Sequence, residues 1–185
     1  EQLAMNLSSE SIIVSTTGKT SRELFELRSK YKQSHDKDFL CVGSMGHANH
    51  IALGIALQKP KKKIFCFDGD GALLMHLGAL SQIGVLKPRN FIHILFNNGA
   101  HDSVGGQATV GYEVDFSKMA LASGYESTIV IEEECELTKF MEKINKLEGP
   151  ALVEIRIRKG ARTDLGRPTI SPKDNIIRFI DTLRN

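Results

Sequence analysis

Apolar residues along the chain fall into two alternating rhythms. Short runs without helical spacing read as strands: SIIVS (11–15), DFLCVG (38–43), KIFCFD (63–68), NFIHILFNN (90–98), TIVI (128–131) and ALVEIRIR (151–158). KIFCFD is apolar on both faces, as a strand buried in a parallel sheet is. Between these runs the spacing turns helical. Leu24, Leu27, Arg28 and Tyr31 mark a helix over 20–31, and Thr20 with Glu23 has the spacing of a capping box at its start. Further helices are predicted over 47–57, over 73–86 (Leu73, Leu77, Leu80 and Ile83 on one stripe), and over 116–123, 136–147 and 172–183. EQLAMNLSSE at the start reads as the end of an amphipathic helix, KPKKK (59–63) as a solvated loop, and 99–115 as a long Gly-rich loop of the functional or mobile kind. The alternation predicts one α/β domain over 1–185. It has three layers, α/β/α, with a mostly parallel sheet of about six strands, and 159–185 forms an irregular tail plus a terminal helix.

Composition narrows the function classes. With 185 residues the chain can bury one sizeable core, and 41% hydrophobic with 25% charged residues is ordinary for a globular domain. A net charge of +2 gives no electrostatic case for nucleic acid or an anionic membrane as partner. No apolar run approaches the roughly 18 residues of a membrane span. Cys41, Cys66 and Cys135 form no C-x-x-C pair, which argues against a disulfide framework and against zinc. Cys41 and Cys66 lie in apolar runs and suit reduced thiols of a cytoplasmic protein. The chain starts at Glu1, so a domain of a longer chain, or a subunit whose start was removed, is expected.

In α/β sheets ligands bind beyond the carboxyl ends of the strands, so the residues after each strand carry the chemistry. The first four are followed by STTGKTSRE, VGSMGHA, DGDGALL and NNGAHDSVGGQ, rich in glycine and small polar residues, whereas EEECE and KGARTD read as solvated loops. TGKTS is not a P-loop, because the position five before Gly18 is Ile13. GDGALL is not a dinucleotide fingerprint, because Leu74 stands where the third glycine belongs. A carboxylate between glycines also repels a bare phosphate. Asp70 therefore points to a divalent cation bridging to phosphate, and the Asn97-Asn98 pair ending the next strand offers amide oxygens to the same hard ion.

G-D-G followed after about 25 residues by N-N, both at strand ends, resembles the motif of thiamine-diphosphate-dependent enzymes. STTGKTSRELFELR, VGSMGHANHIALGIAL, FDGDGALLMHLGAL, FNNGAHDSVGGQATVGYEVDF and DLGRPT extend the likeness over nearly the whole chain. Together they are similar to the C-terminal, diphosphate-binding domain of the phosphonopyruvate decarboxylase family, with sulfopyruvate decarboxylase as the alternative. The resemblance implies the thiamine diphosphate-binding fold, with thiamine diphosphate and Mg²⁺ as cofactors. It implies Asp70, the Asn98 side chain and the Ala100 carbonyl as metal ligands, and Gly69, Gly71 and Ala72 as the diphosphate approach. Asn97 becomes strand-end packing and Asp68 structural. Within GSMG, the Gly43 carbonyl would meet the aminopyrimidine, Ser44 would lie beside it and Met45 would be the wedge under the bent cofactor. Gly18 and Lys19 would belong to the loop closing over the diphosphate, and His101 would be a cofactor and candidate catalytic residue.

The implied reaction is non-oxidative decarboxylation of a small 2-oxo acid, with phosphonopyruvate giving phosphonoacetaldehyde and CO₂. The glutamate that such enzymes set against the pyrimidine lies on a separate domain, usually of another chain, and no such domain is found in this sequence. A pyrimidine-binding domain or subunit, in a homo- or hetero-oligomer, is therefore expected, with the isolated chain binding cofactor weakly and turning nothing over. Pyruvate-decarboxylase-type relatives carry a glutamate six residues after the metal asparagine; that position is Val104. Ser103, Gly105, Gly106 and Gln107 would shape a mobile loop, and His47 with His50 opens a helix. His76, His93 and Asp102 read as packing or loop structure, and Arg162 and Arg167 as tail charges that could meet a phosphonate. A non-catalytic ligand-binding domain of the same fold is a further alternative. A carboligase of the acetolactate-synthase type is disfavoured by HDSVGG.

Overall fold

A computed structural model describes residues 1–184. The chain runs α1 (Gln2–Asn6), β1 (Ile12–Ser15), α2 (Lys19–Lys30), β2 (Asp38–Leu40), α3 (Ala48–Gln58), β3 (Ile64–Gly69), α4 (Asp70–Met75) and α5 (Ala79–Leu86). It continues through β4 (Phe91–Asn97), β5 (Ala100–His101), β6 (Gln107–Ala108), α6 (Phe116–Ser123), β7 (Ser127–Ile131) and α7 (Glu134–Met141). A 3₁₀ turn (Ile144–Lys146), β8 (Ala151–Arg156) and α8 (Pro172–Arg184) complete it. Six strands form one sheet in the order β2-β1-β3-β4-β8-β7, parallel throughout. The predicted three-layer α/β/α architecture is the observed one.

Strand periodicity builds the two cores. Ile64 and Cys66 of β3 face a cluster with Val14, Ala52, Leu80, Ile83 and Phe116. Their neighbours Phe65 and Phe67 face the opposite cluster with Ile13, Leu24, Phe25, Ile94, Phe140 and Val153. One sheet face is thus covered by α3, α5 and α6, the other by α1, α2 and α7. β2 lies at one edge of the sheet, and Arg28 from α2 reaches its first residue. Arg28 Nε and Nη2 donate to Asp38 Oδ2 and Oδ1 at 2.8 and 3.1 Å. No helix among the described residues is long and apolar enough to cross a membrane.

Several boundaries differ from the sequence reading. The proposed capping box at Thr20 and Glu23 is absent: α2 starts at Lys19 with Gly18 as N-cap and no side-chain cap. Glu23 is turned instead to Arg162. The single helix expected over 73–86 is two helices. α4 starts at Asp70, and the chain breaks at His76–Gly78, glycine being a poor helix former. Leu73, Leu80 and Ile83 still share one core, so the stripe survives the break. β2 stops at Leu40 because the chain turns off the sheet through Gly43 and Ser44, both at positive φ (80° and 48°). β8 is shorter than 151–158, and the loop 99–115 contains the small antiparallel hairpin β5–β6. The helix expected over 136–147 is α7 followed by the 3₁₀ turn. It opens on a capping box between Glu133 and Glu136, so part of the EEECE run that read as a solvated loop is the start of a helix.

Candidate active site

β1 pairs with β2 on one side and β3 on the other, while their connections leave in opposite directions. This reversal opens a crevice at the carboxyl ends of the strands. A cavity of about 340 Å³ lies there. Its walls are Thr16 to Thr20 after β1, Gly69 to Ala72 after β3 and Asn98 to Ser103 after β4, with Gly18 and Gly99 outside the lining, and Gly160 and Ala161 after β8. Met45, after β2, closes one side. Asp70 after β3 and Asn98 with Ala100 after β4 thus line one cleft.

Asp70 is 2% exposed, and no lysine or arginine among the described residues pairs with it. Its one hydrogen bond comes from the Thr109 hydroxyl to Oδ2. A carboxylate buried this deeply calls for compensation, and a hard divalent ion would supply it. Beside it, the first turn of α4 has no side-chain cap, so the first-turn N–H groups reaching Gly71 and Ala72 lack intrahelical partners and suit phosphate oxygens. Gly71 is required by its neighbour: a Cβ there would overlap the His101 ring. At Gly111 a Cβ would come within 2.6 Å of Asp70 Oδ2 and 2.7 Å of Asn97 Oδ1. The donor set and the glycine-lined approach therefore fit a diphosphate held through Mg²⁺.

The asparagine pair divides its work. Asn97 is fully buried: its Nδ2 donates to the Gly111 carbonyl (2.7 Å) and Glu154 Oε1 (2.8 Å), and its Oδ1 accepts from the Gly99 N–H (3.1 Å). Asn98 faces the cleft. Its Nδ2 donates to Asp102 Oδ2 at 2.7 Å, and its Oδ1 accepts from the Ala100 N–H at 3.1 Å. Asp102 Oδ2 also accepts from the Gly160 N–H at 2.8 Å, and Lys19 Nζ stands 4.0 Å from Oδ1. Asp102 is thus a hub joining α2, the loop after β4 and the loop after β8.

The other predicted residues gather around Met45. The Thr17 hydroxyl accepts from the Gly43 N–H at 2.9 Å, tying the loop after β1 to GSMG. A second cleft of about 800 Å³ lies beyond Met45 and shares Thr17, Met45, His101 and Ser103 with the first; Gly18, Gly43 and Ser44 line it. His47 packs at a tilt against His76 with ring centres 4.1 Å apart, and burial holds the His50 imidazole below its usual range. His76 therefore belongs to a histidine cluster behind GSMG, although its Nδ1 has no partner. Arg162 is taken up by Glu23, Glu26 and Asp164, so it is a paired tail charge and not the phosphonate contact that the sequence left open. Glu26 in turn is held below the usual carboxylate range by Arg162.

Some site residues escaped the sequence. KGARTD read as solvated, yet Gly160 and Ala161 line the cleft. Thr109 and Gly111 reach Asp70 only because the β5–β6 hairpin folds the loop back. Their one sequence signal was membership of a long Gly-rich segment after a motif strand.

Comparison with known proteins supplies relatives. Residues 16–155 match the family model for thiamine pyrophosphate enzymes, C-terminal TPP binding domain. The chain is 38% identical to a phosphonopyruvate decarboxylase of Streptomyces viridochromogenes over 179 residues, 97% of this chain and 44% of that protein. It is 36% identical to a sulfopyruvate decarboxylase subunit beta of Methanocaldococcus jannaschii over 128 residues, 69% of this chain and 65% of that one. A solved structure from Mycobacterium smegmatis, described as a thiamin diphosphate-dependent enzyme, superposes with a TM-score of 0.65 at 19% identity, over 85% of this chain and 31% of that one. That likeness carries the fold. The chain spans less than half the length of the Streptomyces relative.

Proposed function

Given that the chain belongs to the thiamine pyrophosphate enzymes, through their C-terminal TPP binding domain, we propose that it supplies the diphosphate- and Mg²⁺-holding half of a phosphonopyruvate decarboxylase. Asp70, the Asn98 amide oxygen and the Ala100 carbonyl would hold the ion, and the first turn of α4 would receive the diphosphate. Bound thiamine diphosphate supplies the nucleophilic carbon and the electron sink for loss of CO₂. This chain's share is placement: Met45 and the Gly43 carbonyl orient the group, while the loop 101–107 and the tail screen the cleft from water. His101 lies over Gly71 on the cleft wall and can hold or pass a proton there. The pyrimidine-side glutamate comes from another domain or subunit, in keeping with the share of the relatives' length that the chain covers.

One observation carries the reading: Asp70 is a buried carboxylate with no cationic partner among the described residues, set at the uncapped start of α4. The test is calorimetry of thiamine diphosphate binding with and without Mg²⁺, on wild type and Asp70→Ala. Binding should require Mg²⁺ and be lost in the variant; metal-independent binding would overturn the assignment. Sulfopyruvate is the second substrate reading, favoured by the beta-subunit relative. It is distinguished by comparing the two acids on the enzyme completed with its pyrimidine-binding part.

A further inference from the structure

The second cleft, beyond Met45, has a charge pattern that the cofactor does not use. Two guanidinium side chains line it, Arg22 from α2 and Arg167 from the segment before α8, and no aspartate or glutamate does. Neither arginine has an ion pair or a side-chain hydrogen bond among the described residues. Arg162, in the same tail, shows the contrasting behaviour: it is engaged by Glu23, Glu26 and Asp164. Arg167 follows Gly166, whose N–H donates to Glu26 Oε1 at 2.6 Å. The neutralised Arg162 cluster therefore pins the tail and delivers a free Arg167 to the cleft. Pro168, Ile170 and Pro172 keep the following segment against the same wall.

The cleft also has the right relation to the chemistry. It shares Thr17, Met45, His101 and Ser103 with the cofactor cleft, so a small acid can reach from one into the other. A 2-oxo acid that loses CO₂ must keep its departing carboxylate away from cations, because stabilising that charge opposes decarboxylation. Cations belong at the acid group that the product retains. Two uncancelled guanidiniums match the charge of a phosphonate dianion, and their forked donors match its oxygens.

We propose that Arg22 and Arg167 form the subsite for the retained tetrahedral oxyanion of the substrate, and that they set the preference for phosphonopyruvate over uncharged-tail 2-oxo acids. This rests on the decarboxylase reading above. The test uses the intact enzyme, joined to its pyrimidine-binding part, as wild type, Arg22→Gln, Arg167→Gln and Arg167→Lys. Steady-state decarboxylation of phosphonopyruvate, sulfopyruvate and pyruvate is measured, with thiamine diphosphate affinity as a separate readout. Each glutamine variant should lose about 30-fold in kcat/KM for phosphonopyruvate, the loss of one or two charge-assisted hydrogen bonds. The loss for sulfopyruvate should be smaller, with a rise in KM predominating. Cofactor affinity should stay within twofold, and Arg167→Lys should recover part of the loss. A wild type inactive on phosphonopyruvate refutes the decarboxylase reading itself. An active wild type whose glutamine variants keep kcat/KM within twofold, or lose cofactor affinity in parallel with activity, overturns the subsite alone.

Discussion

Asp102 offers the sharpest test of how the proposed metal side of the site is held. A single oxygen, Oδ2, accepts both the Asn98 Nδ2 hydrogen (2.7 Å) and the Gly160 N–H (2.8 Å). Because Asn98 Oδ1 is fixed at the same time by the Ala100 N–H at 3.1 Å, the amide is gripped from both ends. Its oxygen cannot turn away from the cleft while both contacts last. Hydrogen bonds to a carboxylate contribute about 1.5–3 kcal/mol each. Lys19 adds little: it stands 4.0 Å away with a side chain 32% exposed, where solvent screens the pair. Asp102→Ala should therefore lower the unfolding free energy by about 2–4 kcal/mol. With Asn98 as the proposed metal ligand, it should also weaken Mg²⁺-dependent binding of thiamine diphosphate by about 10- to 100-fold, the usual cost of removing a group that orients such a ligand. Asp102→Asn retains one acceptor oxygen for both donors and should fall between the two. Urea unfolding and calorimetry on the same preparations measure both quantities. Loss of stability with metal-dependent affinity within twofold of wild type would refute the orienting role and leave Asp102 a tether for the tail.

Three further outcomes follow from packing and charge. Gly84→Ala would drive a Cβ into the backbone between Ser123 and Gly124, where the Ser123 carbonyl carbon is 2.5 Å away. Neither backbone can yield, so a loss of about 3 kcal/mol is expected in denaturant titration, and an unshifted midpoint would contradict the close approach of α5 to α6. Arg28→Met leaves Asp38 buried and unpaired at the sheet edge, at a cost of about 3–5 kcal/mol. Adding Asp38→Leu should recover most of it, and no recovery in the pair would sink the ion-pair account. His50 is held below its ordinary 6.5 first by burial, then by His47 and His76. Above 6.5 neither the folded nor the unfolded imidazole is charged, and the stability is present. Below it the unfolded chain takes the proton first, so stability is lost as pH falls through the lower folded value. His50→Gln should flatten the fall in unfolding midpoint as pH drops below 6.5; an unchanged slope would mean that His50 burial does not contribute to it.

The sequence showed the strands because a parallel sheet buries both faces: Ile64, Phe65 and Cys66 are all fully buried and all apolar. It pointed to Asp70 and Asn98 through the pairing of G-D-G with N-N at two strand ends, since each half alone reads equally as a turn. The start of α4 was not legible, since Asp70 and Gly71 carry no apolar periodicity; the turn geometry after β3 sets it. The expected capping box failed for a related reason. α2 begins at Lys19, where the chain leaves β1 along the cleft, and Glu23 finds Arg162, 139 residues away in sequence. Asp102 was equally hidden, because its backbone partner Gly160 lies 58 residues on. Local pattern records which face is buried, and these contacts depend on which distant loop comes to rest beside it.

Asp68 shows how an apparent site resolves into a brace. With Cys66 and His93 it forms a buried trio whose ligand atoms all lie within 4.8 Å of one another, a spacing a metal could use. The hydrogen bonds leave no room for one. Asp68 Oδ1 accepts the Gly69 N–H at 2.9 Å, and Oδ2 accepts from Asn49 Nδ2 at 3.3 Å and His93 Nε2 at 3.1 Å. The carboxylate acceptor places a proton on His93 Nε2, and Nδ1 lies 3.1 Å from the Tyr125 hydroxyl. Burial pushes the Cys66 thiol well above its usual range, against the thiolate that a metal would need. What remains is mechanical. One buried carboxylate holds Gly69, the residue before α4, and Asn49, on the helix that follows GSMG. The two loops that carry Met45 and Asp70 are thereby fixed to the same strand, so the spacing between these two side chains is set by the core of the sheet and not by the loops themselves.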